Sequence, residues 1–441
     1  MDDRESEYLP NASRRGGDGG SSPQSHAALL PAIALLGGGL SWLLFQLNQT
    51  VSEPYMAQKY CEGHFDEWDS KITTFPGLYL VATLYSKAVA SLSSTGEFCS
   101  LPVLRSVNVL FTLGNVALCV LLRRHVAPQD PHAQLHALRV ALFPPLLFFA
   151  FLFYTDAGAT FFVLLMLLLA ERVDLRQYPP TRGSFVLSAV SGAMAVLFRQ
   201  TNIVWVTFVA GTVVVRCVEL AHGKFIYGST KEEARIGGTS VVAHSSLRIL
   251  LNFISVVVSN LLSILQIVWP FVVIVTAFII FLLVNGGIVV GDKSNHEVAF
   301  HGAQVLYFII VSASGFGLSL VAPTQVAKFV GSFCRAAKSP KSVLFLMVVT
   351  SATIGIIWRF SPVHKFMLAD NRHYTFYVWR KFFLKHDLAK YLPAPLYLFF
   401  GWRCWAELGW RRSPLWKLVY FFAVCLVLVP SPLVEYVRCK D

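Results

Sequence analysis

The side chains able to do chemistry are gathered into a handful of short polar segments set between long apolar ones. The first runs through Glu53-Pro54-Tyr55-Met56, Tyr60-Cys61-Glu62-Gly63-His64-Phe65 and Trp68-Asp69 to Ile72-Thr73-Thr74-Phe75-Pro76-Gly77. Tyr154-Thr155-Asp156 and Phe198-Arg199-Gln200-Thr201-Asn202 follow, then Asn285-Gly286-Gly287 with Gly291-Asp292-Lys293-Ser294. The densest is Leu368-Ala369-Asp370-Asn371-Arg372-His373-Tyr374-Thr375-Phe376-Tyr377. Guanidinium and imidazole groups suit phosphate oxygens, and carboxylates and amides suit sugar hydroxyls. A single Lys or Trp at such a border reads as an interfacial anchor. An Asp-Asn-Arg-His run is expensive beside a bilayer and reads as functional. The His residues are scattered and the Cys residues form no CxxC pair, so no metal site is expected.

The elements that must position these segments are membrane spans. Hydrophobic residues make up 55% of the chain and charged residues 14%, with mean hydropathy +0.57. A soluble domain carries about 25% charged residues, so a water-facing surface is not available here. Apolar blocks at 28–47, 103–122, 137–153, 157–171, 183–198, 203–218, 262–284, 303–322, 342–360, 391–405 and 415–430 predict an all-α polytopic membrane protein of about eleven transmembrane helices. The net charge of +12 is a topology signal rather than a nucleic-acid surface, because its distribution alternates. Segments 123–136, 171–182, 216–248, 323–341 and 403–417 hold 18 Lys and Arg, and the alternate set holds 8. Basic loops stay cytosolic, which puts the polar segments above on the luminal side.

This leaves a disordered cytosolic tail at 1–27 and one membrane-embedded domain over 28–441, with a first luminal loop at 48–102 and a luminal motif segment at 361–392. Alternation forbids a crossing at 76–93. Its face of Leu78, Val81, Ala82, Tyr85, Ala88, Val89 and Leu92, with Thr83, Ser86 and Lys87 opposite, predicts a juxtamembrane helix lying in the interface. In 247–265 the stripe Asn252, Ser255, Ser259 and Ser263 predicts either such a helix or one packed with its polar side inward. Cys61 and Cys99 fall in the first luminal loop and are candidates for a disulfide. The sequons are Asn11, expected bare in the cytosol, and Asn48, luminal but close to the membrane.

The blocks at 53–56, 60–65, 72–79, 198–203, Val284-Asn285-Gly286-Gly287-Ile288-Val289 and 368–379 resemble the endoplasmic-reticulum alpha-1,2-glucosyltransferases that use dolichyl phosphate glucose, over about residues 28 to 436. The resemblance implies a membrane-embedded GT-C glycosyltransferase, multi-pass, with its active face luminal. It implies transfer of glucose from dolichyl phosphate glucose to the diglucosylated high-mannose oligosaccharide on dolichyl diphosphate, with inversion at the anomeric carbon and no cofactor. Such chemistry needs cations at the leaving phosphate, here Arg199, Arg372 and His373. It needs holders of acceptor hydroxyls, here Asp156, Asp292, Asp370 and Asn371, and a carboxylate base.

The base is where the chain departs from the family. The family places Asp-Glu-Ile-Phe-His and three further residues after the Met of Glu-Pro-Tyr-Met, whereas Met56 here joins Ala57-Gln58 directly. Glu53 and Asp69, with Glu67, are the remaining candidates, and a misplacement of about 1 Å can cost about 100-fold in rate. After Val429-Pro430 the family continues through another hydrophobic segment, whereas Arg438-Cys439-Lys440-Asp441 stand here. Together these departures predict a variant with little or no transfer. The alternative is a non-catalytic membrane partner or glycolipid-binding protein. A transporter would show paired helices broken by Gly or Pro, which the spans lack.

Overall fold

The computed structural model describes residues 55–92, 98–175, 183–228, 240–291, 300–316, 321–360, 377, 379–408 and 412–430. Among these residues every regular element is helical. Four of the described helices are long and apolar enough to cross a membrane: Leu101–Val126, Gln200–Tyr227, Leu261–Asn285 and Pro340–Phe360. The tail at 1–27, the first predicted span at 28–47, and Asn11 and Asn48 lie outside the described residues. The chain divides into two compact units.

The first unit takes the described residues up to Val173, with Phe185–Ile203. Its helices are α1 (Tyr55–Glu62), α2 (Gly77–Leu92), α3 (Leu101–Val126), α4 (Ala133–Ala141), α5 (Pro144–Ala150), α6 (Asp156–Arg172) and α7 (Val186–Phe198), followed by a 3-10 turn at Gln200–Asn202. Hydrogen bonds between helices give their directions. Asn115 on α3 donates to Ala157 O at the start of α6 (3.0 Å), and His125 at the end of α3 lies 3.9 Å from Glu171 at the end of α6. Those two helices therefore run parallel. Ser188 and Ser191 on α7 donate to Met166 O (2.7 Å) and Phe162 O (2.9 Å) on α6, so α7 returns antiparallel. Small residues at the α7 face let the backbones approach and make these hydroxyl bonds possible, as in membrane helix pairs. The core between the three helices is aromatic, with Phe111 to Phe198 at 5.5 Å and Phe162 to Phe198 at 5.3 Å between ring centres.

Two expectations change in this unit. The block 137–153 is not one continuous helix, because the chain breaks at Leu142–Phe143 and Pro144 opens a second short helix. Proline suits a first helical turn and not an interior. In α2, Thr83 and Ser86 are buried with Leu78 and Ala82, while Leu80, Leu84 and Leu92 are exposed. The small hydroxyl residues pack into the protein instead of facing water, and Tyr85 Oη lies 3.0 Å from Ser106 Oγ on α3.

The second unit holds α8 (Ile203–Tyr227, from Val204), α9 (Ser240–Ser259), α10 (Leu261–Asn285), α11 (Ala303–Phe316), α12 (Pro323–Ala336), α13 (Pro340–Phe360), α14 (Ala394–Leu408) and α15 (Pro414–Leu428). Helices α8 and α15 pack through Trp205, Phe208, Trp416 and Tyr420, and Gly211 leaves room for Val419. Leu306, Ile357 and Tyr397 join α11, α13 and α14. Helix α10 ends on Gly286 in the left-handed region (φ 67°), whose N–H bonds Leu282 O, and Asn285 closes the turn onto Gly287 O and Val289 O. Glycine takes that conformation without the usual Cβ penalty, which accounts for the Asn-Gly-Gly block. In the 252–263 stripe Ser255, Ser259 and Ser263 are exposed, while Asn252 is half-buried and donates to Phe225 O at 3.1 Å. The segment 323–341, counted above as a basic loop, is helical as α12 over most of its length.

Candidate active site

Helix α3 carries Arg105, Asn108, Thr112 and Asn115 on one face, at spacings that return every turn. Asn108, fully buried, donates through Nδ2 to Leu152 O and to Tyr154 O, the latter at 2.7 Å. With the Asn115 bond to Ala157 O, these amides fix the turn that leads into α6 and set Tyr154 and Asp156 at its mouth. Buried amides at a non-helical turn satisfy carbonyls that would otherwise be stranded among apolar groups.

The partner segment comes from the end of α7. Arg199 leaves the helix in an extended conformation (φ −149°, ψ 124°), and Asn202 turns back to donate to Ala195 O at 2.8 Å. Gln200 donates to Thr73 O at 2.8 Å, which ties this segment to Ile72-Thr73-Thr74 in the first loop. Gly77 stands where a Cβ would come within 2.5 Å of Leu197 O. Gly158 likewise admits the Phe198 ring, so α2, α6 and the end of α7 meet closely. Arg199 Nη1 then donates to Asp156 Oδ1 at 2.8 Å, and its guanidinium lies 5.7 Å from the centre of the Tyr154 ring. Arg199 is 32% exposed and Asp156 20%. A planar cation stacked on an aromatic face and open on one side suits an incoming phosphate. Beside Asp156, Asn115, Thr112 and Thr160 line a cavity of about 30 Å³, space for water rather than for a sugar.

Of the first-loop carboxylates weighed as bases, Glu67 and Asp69 both have partners, while Glu62 and Asp66 stand exposed. Glu67 is taken by Lys59, whose ammonium it holds above its usual pKa, and lies 3.8 Å from His64. Asp69 is exposed and accepts the Lys71 N–H at 2.9 Å, a turn-closing bond. Tyr60, Trp68, Tyr79 and Phe153 meet edge-on or tilted in series, and burial pushes the Tyr79 phenol up to about 12. Tyr79 is thus an O–H donor at neutral pH and no base. Cys61 and Cys99 are paired as a disulfide with their Cα atoms 6.3 Å apart, fastening α1 to the start of α3. The Met56–Ala57 join lies inside α1 with both residues buried.

The structure thus brings Asp156 and Arg199 together and leaves Asp69 apart from them in the pattern of bonds. Glu53, Asp292, Asp370, Asn371, Arg372 and His373 lie outside the described residues. From the last motif Tyr377 and Trp379 are described, and Trp379 packs edge-on against Tyr307 at 5.6 Å. Residues 55–438 match the model of the DIE2/ALG10 family, across both units.

The chain belongs to the DIE2/ALG10 family.

It is similar to the rat protein named Dol-P-Glc:Glc(2)Man(9)GlcNAc(2)-PP-Dol alpha-1,2-glucosyltransferase, 37% identical over 419 residues, covering 90% of this chain and 84% of that one. Proteins of the same name from mouse and Arabidopsis thaliana are 39% and 34% identical, covering 90% and 88% of this chain and 84% of each relative. No solved structure matches the chain. Within this family member, Asn108 is the positioning residue that sequence reasoning passed over. Its signal was present, as the second member of a polar stripe in an otherwise apolar span, and so was that of Asn115.

Proposed function

We propose that this family member transfers glucose in alpha-1,2 linkage from dolichyl phosphate glucose to the dolichyl-diphosphate-linked Glc2Man9GlcNAc2 oligosaccharide, the reaction in the names of its relatives. In this reading the acceptor 2-hydroxyl attacks the anomeric carbon of glucose as the bond to the phosphate oxygen breaks. The hydroxyl proton passes to a carboxylate and the electron pair leaves on dolichyl phosphate, so the centre inverts. Arg199, with Arg372 and His373, holds the leaving phosphate, and Asp156, with Asp292, Asp370 and Asn371, holds acceptor hydroxyls. The site faces the lumen of the endoplasmic reticulum, in a single GT-C-type membrane domain of about eleven crossings. Its partners are the two dolichol-linked substrates and the surrounding membrane lipid, with no nucleic acid.

The observation that carries this reading is the Asp156–Arg199 pair beside Tyr154, set at the end of α6 away from the basic Arg123-Arg124 end. A second reading, a glycolipid-binding protein with little turnover, is favoured by the first loop. Its described carboxylates are engaged or exposed, and the chain runs through Met56–Ala57 without the family's acidic pair. Glucosyl transfer assayed on membranes, for the chain as it stands and with the family's segment restored after Met56, separates the two. Restoration is expected to raise turnover per molecule by about 10²–10⁴, the usual contribution of a general base. Equal turnover would place the base elsewhere, with Glu53 and Asp69 the next residues to substitute.

A further inference from the structure

Helix α12 differs from its neighbours in having no buried residue. Val326, Val330 and Phe333 recur at helical spacing and are exposed, 42%, 53% and 53% respectively. Lys328, Ser332 and Arg335 occupy the opposite face, linked by Arg335 Nη2 donating to Ser332 Oγ at 3.1 Å and Ser332 Oγ donating to Lys328 O at 2.8 Å. Between the faces, Phe329 packs on α14 against Phe399 and Trp402, with ring centres 5.1 and 5.4 Å away. The helix is anchored along one edge and amphipathic across the other.

Its 14 residues extend about 21 Å, too short to cross a bilayer core of about 30 Å. Three residues, Ala337 to Ser339, join it to α13, one of the four helices able to cross. Its C-terminus therefore sits at the start of a helix able to span a membrane, with Lys338 in the junction and Lys341 in the first turn beyond it. An apolar stripe opposed by cations at that depth is the pattern of a helix lying in the interface. We propose that α12 lies in the plane of the membrane surface and that Lys328 and Arg335 gather acidic phospholipid headgroups from the bilayer around it.

Exposed Cys334, at the rim of the apolar stripe, gives a direct probe. The full chain is labelled there with an environment-sensitive fluorophore and reconstituted into phosphatidylcholine vesicles that hold brominated phosphatidylcholine or brominated phosphatidylserine. A Cys334→Ser version labelled in parallel is subtracted. Both brominated lipids are expected to quench, with little quenching by aqueous iodide. The serine lipid should quench more at equal mole fraction, since each cation near an acidic surface enriches such lipid about fivefold. K328Q/R335Q should bring the two lipids to the same quenching. Quenching by iodide and by neither lipid, or by none of the three, would overturn the in-plane placement. Equal quenching by the two lipids in the unaltered helix would overturn the headgroup recognition.

Discussion

Two ion pairs stand toward opposite ends of α6, and they are built in different ways. Arg123 and Asp130 are 7 residues apart, and the loop between them completes the pair. One Asp130 oxygen takes Arg123 Nε at 2.5 Å, the other takes the His132 N–H at 2.9 Å, and His136 lies 3.8 Å away. Asp156 and Arg199 are 43 residues apart and meet only because α6 and α7 pack antiparallel. Exposure does not distinguish them, since Arg123 is 33% exposed and Arg199 32%. Assembly does. The first pair is satisfied by its own turn and shapes a loop, while the second is held by tertiary packing with an aromatic face under the guanidinium. In the proposed reading, identical charges serve local folding at one end and ligand recognition at the other.

The largest expected effect breaks the recognition end. Arg199→Ala, in the version with the acidic segment restored, should lower kcat/KM by about 10²–10³, as for a lost donor at developing charge. Arg199→Lys should recover part of this, because the point charge remains and the planar fork does not. Next is the disulfide that fastens the first loop at this end. Replacing Cys61 and Cys99 by Ala removes a link across 38 residues. The change should cost about 2–4 kcal/mol of stability, read as a lower melting temperature that reductant no longer alters. Asn108→Leu keeps the volume but removes the donor to Leu152 O and Tyr154 O. A loss of about 1–3 kcal/mol should follow, together with weaker donor binding as Tyr154 shifts.

The smallest effect lies at the other end. The Arg123 guanidinium, and after it the His132 amide, holds the Asp130 carboxyl below the usual carboxylate range. Stability from this pair is therefore present at neutral pH and lost as pH falls below about 4, through the lowered titration. Asp130→Asn should cost at most about 1 kcal/mol at neutral pH. Melting curves of the variant and the unaltered chain should converge in acid.

Much of this architecture could be read from residue types. Asp156 and Arg199 stood out as charges bordering apolar blocks, and Cys61 and Cys99 as the pair left in one loop. Their meeting could not be read, because it depends on small residues such as Gly77 and Gly158 admitting Leu197 and Phe198. Asn108 was legible as part of a stripe but stood inside a span, where hydropathy averages it away. In α2 the hydroxyls of Thr83 and Ser86 fit a wet face by type alone, yet small polar residues also favour close helix packing. Counting 323–341 only by its charges likewise hid the helical spacing of Val326, Val330 and Phe333.

The division of labour between the two ends is tested most directly by matched substitutions, Arg199→Gln and Arg123→Gln, in the full chain. Two quantities are measured on each: affinity for dolichyl phosphate, which needs no catalytic base, and melting temperature in the same detergent. Arg199→Gln should weaken dolichyl phosphate binding at least about tenfold, as for a charge-assisted phosphate contact, with the melting temperature little changed. Arg123→Gln should lower the melting temperature slightly and leave the affinity unaltered. Unchanged affinity in Arg199→Gln, or an equal loss of affinity in both, would contradict the assignment of phosphate recognition to the Asp156–Arg199 end.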